Sequence, residues 1–172
     1  MWQYILTTIS AVMLFEFVIL GCIRYGLLDC YSAYAAKWQE FYNKLNIWSV
    51  VTFISAFLML PVMLENSAGS PVQFLGFFAP LGLFAVAFSP RYSKEKSQWW
   101  MHQIGAWGSL IFVLAYIFLI PKLIWPVAII LAATALSVFA KKECWMFWGE
   151  MAAYLCAYVT MYVMIGVNSG VL

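Results

Sequence analysis

Charged residues are scarce in this 172-residue chain, and their scarcity excludes most soluble architectures. Only 9% of the residues are charged, whereas 66% are hydrophobic. An ordinary soluble domain carries about 25% charged residues. So few charges cannot solvate the surface of a globular protein of this size, but they suffice where lipid is the solvent. We therefore predict that residues 1–172 form a single integral membrane domain.

Residues that support catalysis or metal binding are also rare. The chain has one histidine, His102, one aspartate, Asp29, and four cysteines without a Cys-x-x-Cys spacing. One histidine cannot form a bis-histidine haem site, and no zinc, phosphate-loop or paired-acid motif is present. The net charge of +2 does not indicate nucleic-acid binding. We therefore assign no catalytic residue, metal site, cofactor or nucleic-acid partner, and the sequence argues against an enzyme without excluding one.

What the chain does contain is a series of long apolar runs. A helix needs about 20 apolar residues to cross roughly 30 Å of hydrocarbon. Six segments are predicted to do so: Tyr4–Arg24, Trp48–Glu65, Pro71–Ser89, His102–Ile120, Leu123–Ala140 and Trp145–Val167. The predicted fold class is therefore an all-α membrane protein, built as a bundle of six transmembrane helices.

The positive charges predict an orientation for this bundle. Eight of the nine Lys and Arg residues lie in three alternate gaps between the runs, at Arg24–Lys44, Arg91–Lys96 and Lys141–Lys142, and Lys122 is the exception. Cytoplasmic loops retain positive charge and translocated loops lose it. We therefore predict that these three loops are cytoplasmic and that both termini lie outside, in a bacterial inner membrane or an equivalent membrane.

The long connection between the first two runs is amphipathic. Its larger apolar side chains recur every three or four residues, as on one face of a helix: Leu27, Tyr31, Tyr34, Trp38, Phe41 and Leu45. We predict a helix over about residues 27–45 that lies in the membrane interface with this face toward lipid. A gate or a docking surface is the functional alternative. The candidate ligands for anionic lipid headgroups are Lys37, Lys44, Arg91, Lys94 and Lys96.

Glu16 lies near the middle of the first predicted span. An acidic residue at the centre of a transmembrane helix costs about 2.5–3.5 kcal/mol on insertion scales. The span tolerates Glu16 where its carboxyl group faces protein or water, and such a carboxyl group is a candidate site for a proton, an ion or a polar ligand. The alternative is a hydrogen bond that only packs two helices together.

Glu150 begins a second candidate site, in the sixth predicted span. Tyr154, Tyr158 and Tyr162 follow it at steps of four, so the four side chains share one helix face. We predict that this face lines a cavity or meets another helix. His102, at the start of the fourth span, is the remaining candidate for ligand or proton binding, although a headgroup or helix-cap contact is the more ordinary role of a lone interfacial histidine.

These residues predict the binding or transport of a small molecule or an ion through a polar intramembrane pocket, with binding linked to protonation of Glu16 and Glu150. Two alternatives stay open. In one, the acids only specify helix contacts in an accessory or assembly subunit of a membrane complex, or in a homo-oligomeric channel. In the other, the protein is a lipid-modifying enzyme that uses His102 with Glu143 or Glu150. The predicted partners are membrane lipid and, in the first alternative, further copies or other membrane subunits.

Overall fold

A computed structural model describes residues 1–41, 46–140 and 144–170, apart from the side chains at positions 36 and 39–41. This part of the chain folds into seven α-helices and contains no strand. The helices are α1 (Trp2–Tyr25), α2 (Ala33–Phe41), α3 (Ile47–Asn66), α4 (Phe74–Ala87), α5 (Lys96–Leu119), α6 (Trp125–Phe139) and α7 (Trp145–Asn168). The prediction of an all-α protein is confirmed.

Each of the six predicted spans overlaps one of these helices. The helices α1, α3 and α7 end within two residues of the predicted limits, whereas α5 begins earlier than predicted, at Lys96 instead of His102. Four helices, α1, α3, α5 and α7, are long and apolar enough to cross a membrane, and α4 and α6 are shorter apolar helices of 14 and 15 residues. The fold is therefore compatible with a helical membrane protein.

Hydrogen bonds between distant segments define two ends of the bundle. At the first end, the N–H group of Phe147 donates to the carbonyl oxygen of Asp29 at 2.9 Å. We call it the basic end, because the cations that lie there are Arg24, Lys37, Arg91, Lys94 and Lys96. At the second, the terminal end, the side-chain amide of Asn66 donates to Gln3 at 3.2 Å and that of Asn168 donates to Asn66 at 2.9 Å.

The bundle is held together by close contacts between neighbouring helices in the described part of the chain. The helix α3 packs against α1 and α4, α4 packs against α5, and α6 packs against α7. The core contains apolar side chains of α1, α3 and α7, including Leu14, Val62 and Met161. Large apolar side chains on the outer surface, such as Ile104 and Ile111 of α5, are more than half exposed. Exposed apolar surface of this kind suits contact with lipid.

The segment before α3 departs from its prediction. The helix α2 is shorter than the predicted helix, whose residues 42–45 lie outside the described part of the chain. Tyr31, Tyr34 and Trp38 were expected to face lipid, and this expectation is wrong, because all three are buried in the protein core. Tyr34 packs directly on Gly21 of α1, where an added Cβ atom would lie 2.8 Å from its ring, and Tyr31 and Trp38 pack against Phe17 of α1. The apolar face of α2 thus closes the basic end of the bundle.

Candidate functional site

Glu150 lies inside the basic end of the bundle, just over one turn after the start of α7. The backbone N–H of Tyr31 donates to the Oε2 atom of Glu150 at 2.6 Å. Tyr31 is 1% exposed, and its own hydroxyl shares a hydrogen bond of 2.9 Å with Thr52 of α3. The non-helical segment before α2 therefore joins the carboxyl group of α7 to a hydroxyl group of α3.

Two further hydroxyl pairs follow along α7 toward the terminal end. The hydroxyl of Tyr158 lies 2.6 Å from that of Ser10 in α1, which also donates to the carbonyl oxygen of Ser55 in α3 at 2.9 Å. One turn later, the hydroxyl of Tyr162 lies 2.7 Å from that of Thr8 in α1. We call Glu150 and the three pairs the hydroxyl seam. Its members are Glu150, Tyr31, Thr52, Ser10, Tyr158, Thr8 and Tyr162.

The tyrosine ladder predicted on α7 thus faces neighbouring helices of the same chain. Tyr154 packs edge-on against Tyr31, with ring centroids 5.7 Å apart, and Tyr162 stacks on Tyr4 at 6.1 Å. The hydroxyl partners on α1 and α3 were not identified from the sequence. The signal that could have revealed them is the presence of Ser and Thr within apolar runs at helical spacing, as in Thr52 and Ser55.

His102 is buried beside the same end of the site. Its ring stacks on that of Tyr92 with centroids 4.0 Å apart, and its Nδ1 atom lies 3.4 Å from the hydroxyl oxygen of Ser89. The indole of Trp48 lies between this group and Tyr31, with ring centroids 6.4 Å from His102 and 5.6 Å from Tyr31. The structure therefore brings His102 and Glu150 to the same end of the bundle, connected through aromatic side chains.

The indole N–H of Trp48 is a buried donor at this position. Trp48 is 0% exposed, and its Nε1 atom has no hydrogen-bond acceptor among the residues that the structure describes. A buried donor left without an acceptor costs about 1–3 kcal/mol. An acceptor atom brought between Trp48 and its neighbours would remove that cost, so this donor is part of the candidate site.

Polar side chains extend from the site to the loops of the basic end. The Sγ atom of Cys30 lies 3.2 Å from the hydroxyl oxygen of Ser32, and Ser32 donates to the hydroxyl of Tyr92 at 3.4 Å. Burial raises the pKa of the Cys30 thiol, and the nearby charge of Glu150 raises it further, against the opposing effect of the Ser32 hydrogen bond. Burial also raises the pKa of Tyr92 to about 12. Both groups therefore keep their protons at neutral pH.

The structure does not bring Glu16 into this site. Its side chain is exposed, whereas Ser10, Leu14 and Phe17 form the packed face of α1. The expectation that Glu16 and Glu150 line one pocket is therefore corrected. The reason is helix geometry: at about 100° per residue, Glu16 lies about 160° around the helix from Leu14 and about 100° from Phe17, outside the packed face.

The candidate headgroup ligands lie at the surface of the basic end. Lys37, Lys94 and Lys96 are exposed, and Arg91 lies 3.6 Å from Glu95 in a solvent-accessible ion pair. Lys44 lies outside the described residues, as does Glu143. Lipid binding by these cations stays a prediction. Within residues 1–41, 46–140 and 144–170 there is no group of three or more His, Cys, Asp or Glu residues that could hold a metal ion.

Comparison with known proteins identified no relative. No protein-family model, curated protein or solved structure matches the chain. Its function must therefore be argued from the site.

Proposed function

We propose that this protein binds and moves a small ion through a polar route between α1, α3 and α7, and that the ion is a proton. The observation that supports this proposal is the hydroxyl seam. A partly buried carboxyl group lies at the basic end, and three hydroxyl pairs follow it toward the terminal end. Hydroxyl groups both donate and accept hydrogen bonds, which a relay of protons requires.

The seam covers about 18 Å along the axis of α7, because its first and last members on this helix, Glu150 and Tyr162, are 12 residues apart. The amide group of Asn168 lies six residues further along, about 27 Å from Glu150. The seam and this terminal amide together approach the roughly 30 Å of a hydrocarbon core. Neighbouring tyrosines of the ladder are about 6 Å apart along the axis, so a proton would pass between pairs by rotation of a hydroxyl group or through an intervening water molecule.

A proton suits the packing of the seam better than a larger ion or molecule does. Tyr31 is 1% exposed and Tyr158 is 6% exposed, because both rings pack among core side chains. A proton moves between such groups with small side-chain rotations, whereas a larger ligand requires the helices to separate. In this proposal Glu150 exchanges the proton at the basic end, and the hydroxyl pairs carry it toward Asn66 and Asn168.

The test is proton flux into liposomes that contain the protein and a pH-sensitive dye, driven by a potassium diffusion potential. We expect flux above that of empty liposomes, and its loss in Glu150→Gln, because the amide still accepts the Tyr31 hydrogen bond but cannot exchange a proton. Glu65→Gln is the matched control, since Glu65 is exposed at the end of α3. Absence of flux in the wild type, or equal flux in Glu150→Gln, would refute the proposal.

A small organic ligand is the second candidate, and the buried Trp48 donor favours it. Such a ligand would accept a hydrogen bond from Nε1 and contact the rings of Tyr31 and His102. Native mass spectrometry of the protein released from nanodiscs should then show a reproducible non-lipid adduct. The adduct should be lost in Trp48→Phe and retained in Trp125→Phe, a change to an exposed tryptophan at the start of α6.

The proposed route implies an orientation in the membrane. We propose that α4 and α6 cross together with the four longer helices, that the basic end is cytoplasmic and that the termini are outside. The alternate charged loops support this arrangement. In a variant without the native cysteines, a membrane-impermeant maleimide added outside should label Ala68→Cys but not Lys94→Cys, both at exposed positions. The reverse labelling would invert the orientation.

A further inference from the structure

The outward face of α1 carries a carboxyl group that the bundle leaves uncovered. Glu16 is exposed, and so are the apolar residues on either side of it along this face, Val12, Ile19 and Leu20. The opposite face of α1 packs against α3 and α7. Glu16 lies about 4 Å from the midpoint of this 24-residue helix. The carboxyl group would therefore lie deep in the hydrocarbon if α1 crosses the membrane.

Nothing in the described part of the chain compensates this carboxyl group. No described residue forms a hydrogen bond or an ion pair with Glu16. Arg24 is two turns away, about 12 Å along the axis, and its guanidinium lies against the rings of Tyr25 and Trp38, 5.6 and 5.7 Å from their centroids. An intramembrane acid that faces lipid is costly, and such residues ordinarily pair with another group.

We propose that this face of α1 binds a transmembrane helix of another protein that carries a lysine or an arginine at the depth of Glu16. Opposite charges attract most strongly where water is excluded. The exposed apolar side chains around Glu16 would pack on both sides of such a pair and keep water away from it. The inference does not rest on the proposed function, because Glu16 forms no hydrogen bond with a member of the hydroxyl seam and its test measures helix association instead of proton flux.

Charge complementarity selects this partner over a second copy of the chain. A second copy would place another Glu16 against the first. Its described cations, moreover, all lie near the ends of the bundle: Lys37 is in the short helix α2 at the basic end, and the others lie in connections or in the terminal turns of helices, at Arg24, Arg91, Lys94, Lys96 and Lys122. They cannot reach the middle of α1 in a neighbouring copy with the same depth and orientation. Among the described residues no cation of a second copy suits Glu16, and this favours a different protein as the source of the compensating charge.

The test uses designed transmembrane peptides as probes. One is a labelled polyleucine helix with a single central lysine, and its control has leucine at that position. Energy transfer from each peptide to the labelled full-length protein is measured in phosphatidylcholine vesicles over a range of peptide-to-lipid ratios. We expect the lysine peptide to associate about tenfold more tightly than the leucine peptide, in line with polar contacts between membrane helices. This preference should vanish in Glu16→Gln and persist in Glu65→Gln.

Two outcomes would overturn the proposal. Equal association of both peptides with the wild type, or a lysine preference that survives in Glu16→Gln, would show that Glu16 does not recognise a cation. Self-association of the protein without peptide, lost in Glu16→Leu, would assign the face to a second copy. Circular dichroism and thermal unfolding of each variant show that it remains folded, and Glu16→Leu should fold at least as well as the wild type because it removes a carboxyl group from a lipid-facing position.

Discussion

Two helix contacts in this molecule solve the same packing problem with different chemistry. The contact between α4 and α5 depends on glycine: a Cβ atom added to Gly105 would lie 2.6 Å from the carbonyl oxygen of Gly82. The contact of α7 with α1 and α3 instead contains the hydroxyl seam, with bonds such as Tyr158 to Ser10. Membrane helices associate through small residues or through polar pairs. The α4–α5 contact has one buried hydroxyl, Ser109, which donates to the carbonyl oxygen of Ala79 at 2.8 Å, whereas the seam pairs hydroxyl with hydroxyl, as the proposed proton relay requires.

The largest expected effect comes from filling the glycine contact. Gly105→Ala places its Cβ atom within 3.0 Å of three atoms on α4, two of them backbone atoms, so the helices must separate. We expect a loss of about 1–3 kcal/mol in the free energy of unfolding, as for other overpacked cores. Gly108→Ala is the matched control, because its Cβ atom would meet nothing within 4 Å. Unfolding in mixed micelles measures the free energy of unfolding of each variant. Equal values for Gly105→Ala and Gly108→Ala would contradict the close approach of α4 and α5 at Gly105.

The next largest effect is expected from removing a tyrosine hydroxyl of the hydroxyl seam, compared with removing a buried tyrosine hydroxyl outside it. Tyr158→Phe removes the bond to Ser10, and Tyr116→Phe removes a bond of 2.9 Å to the carbonyl oxygen of Met63, outside the seam. Each loss should lower stability by about 0.5–1.5 kcal/mol. Only Tyr158→Phe should reduce proton flux in liposomes. If the two variants lose flux equally, or neither does, the hydroxyl seam is a packing feature like the glycine contact.

The smallest effect concerns the electrostatics at the start of the seam. Burial and the charge of Glu150 both raise the pKa of Cys30, so the thiolate fraction at a given pH is low. In a variant whose only cysteine is Cys30, the rate of alkylation by iodoacetamide should increase with pH. It should reach its plateau at a higher pH than the rate for a free cysteine does. Adding Glu150→Gln removes a charge that raises this pKa, so the rate at pH 7.5 should increase about twofold. An unchanged rate would show that Glu150 carries no charge that Cys30 senses at that pH.

The positions of the helices could be predicted from the sequence alone. Apolar runs of sufficient length fall where α1, α3 and α7 lie, to within two residues at each end. The α5 helix was predicted to begin too late, because Lys96 and the polar residues after it interrupt the apolar run while still adopting helical structure. The spacing of Glu150, Tyr154 and Tyr158 likewise predicted their common face, since this depends only on helix geometry.

The partners of that face could not be predicted. In a soluble helix the apolar side shows which way the interior lies, but a helix surrounded by lipid is apolar on every side. From the sequence, Glu16 and Glu150 are therefore both candidates for one pocket, whereas the fold separates them into one exposed and one partly buried carboxyl group. The hydrogen bond from the backbone N–H of Tyr31 to Glu150 could not be predicted either, because every non-proline residue carries such a donor.

The sequence by itself determined an all-α protein with long apolar helices and the list of polar residues within them, because length, hydropathy and helical spacing are local properties. Only the tertiary structure decided which of those polar residues meet. It placed Tyr31 against Glu150, paired Ser10 with Tyr158, and left Glu16 facing outward. These choices depend on how the helices are rotated about their axes, and that rotation is set by close contacts such as Gly21 with Tyr34, which join residues from separate helices.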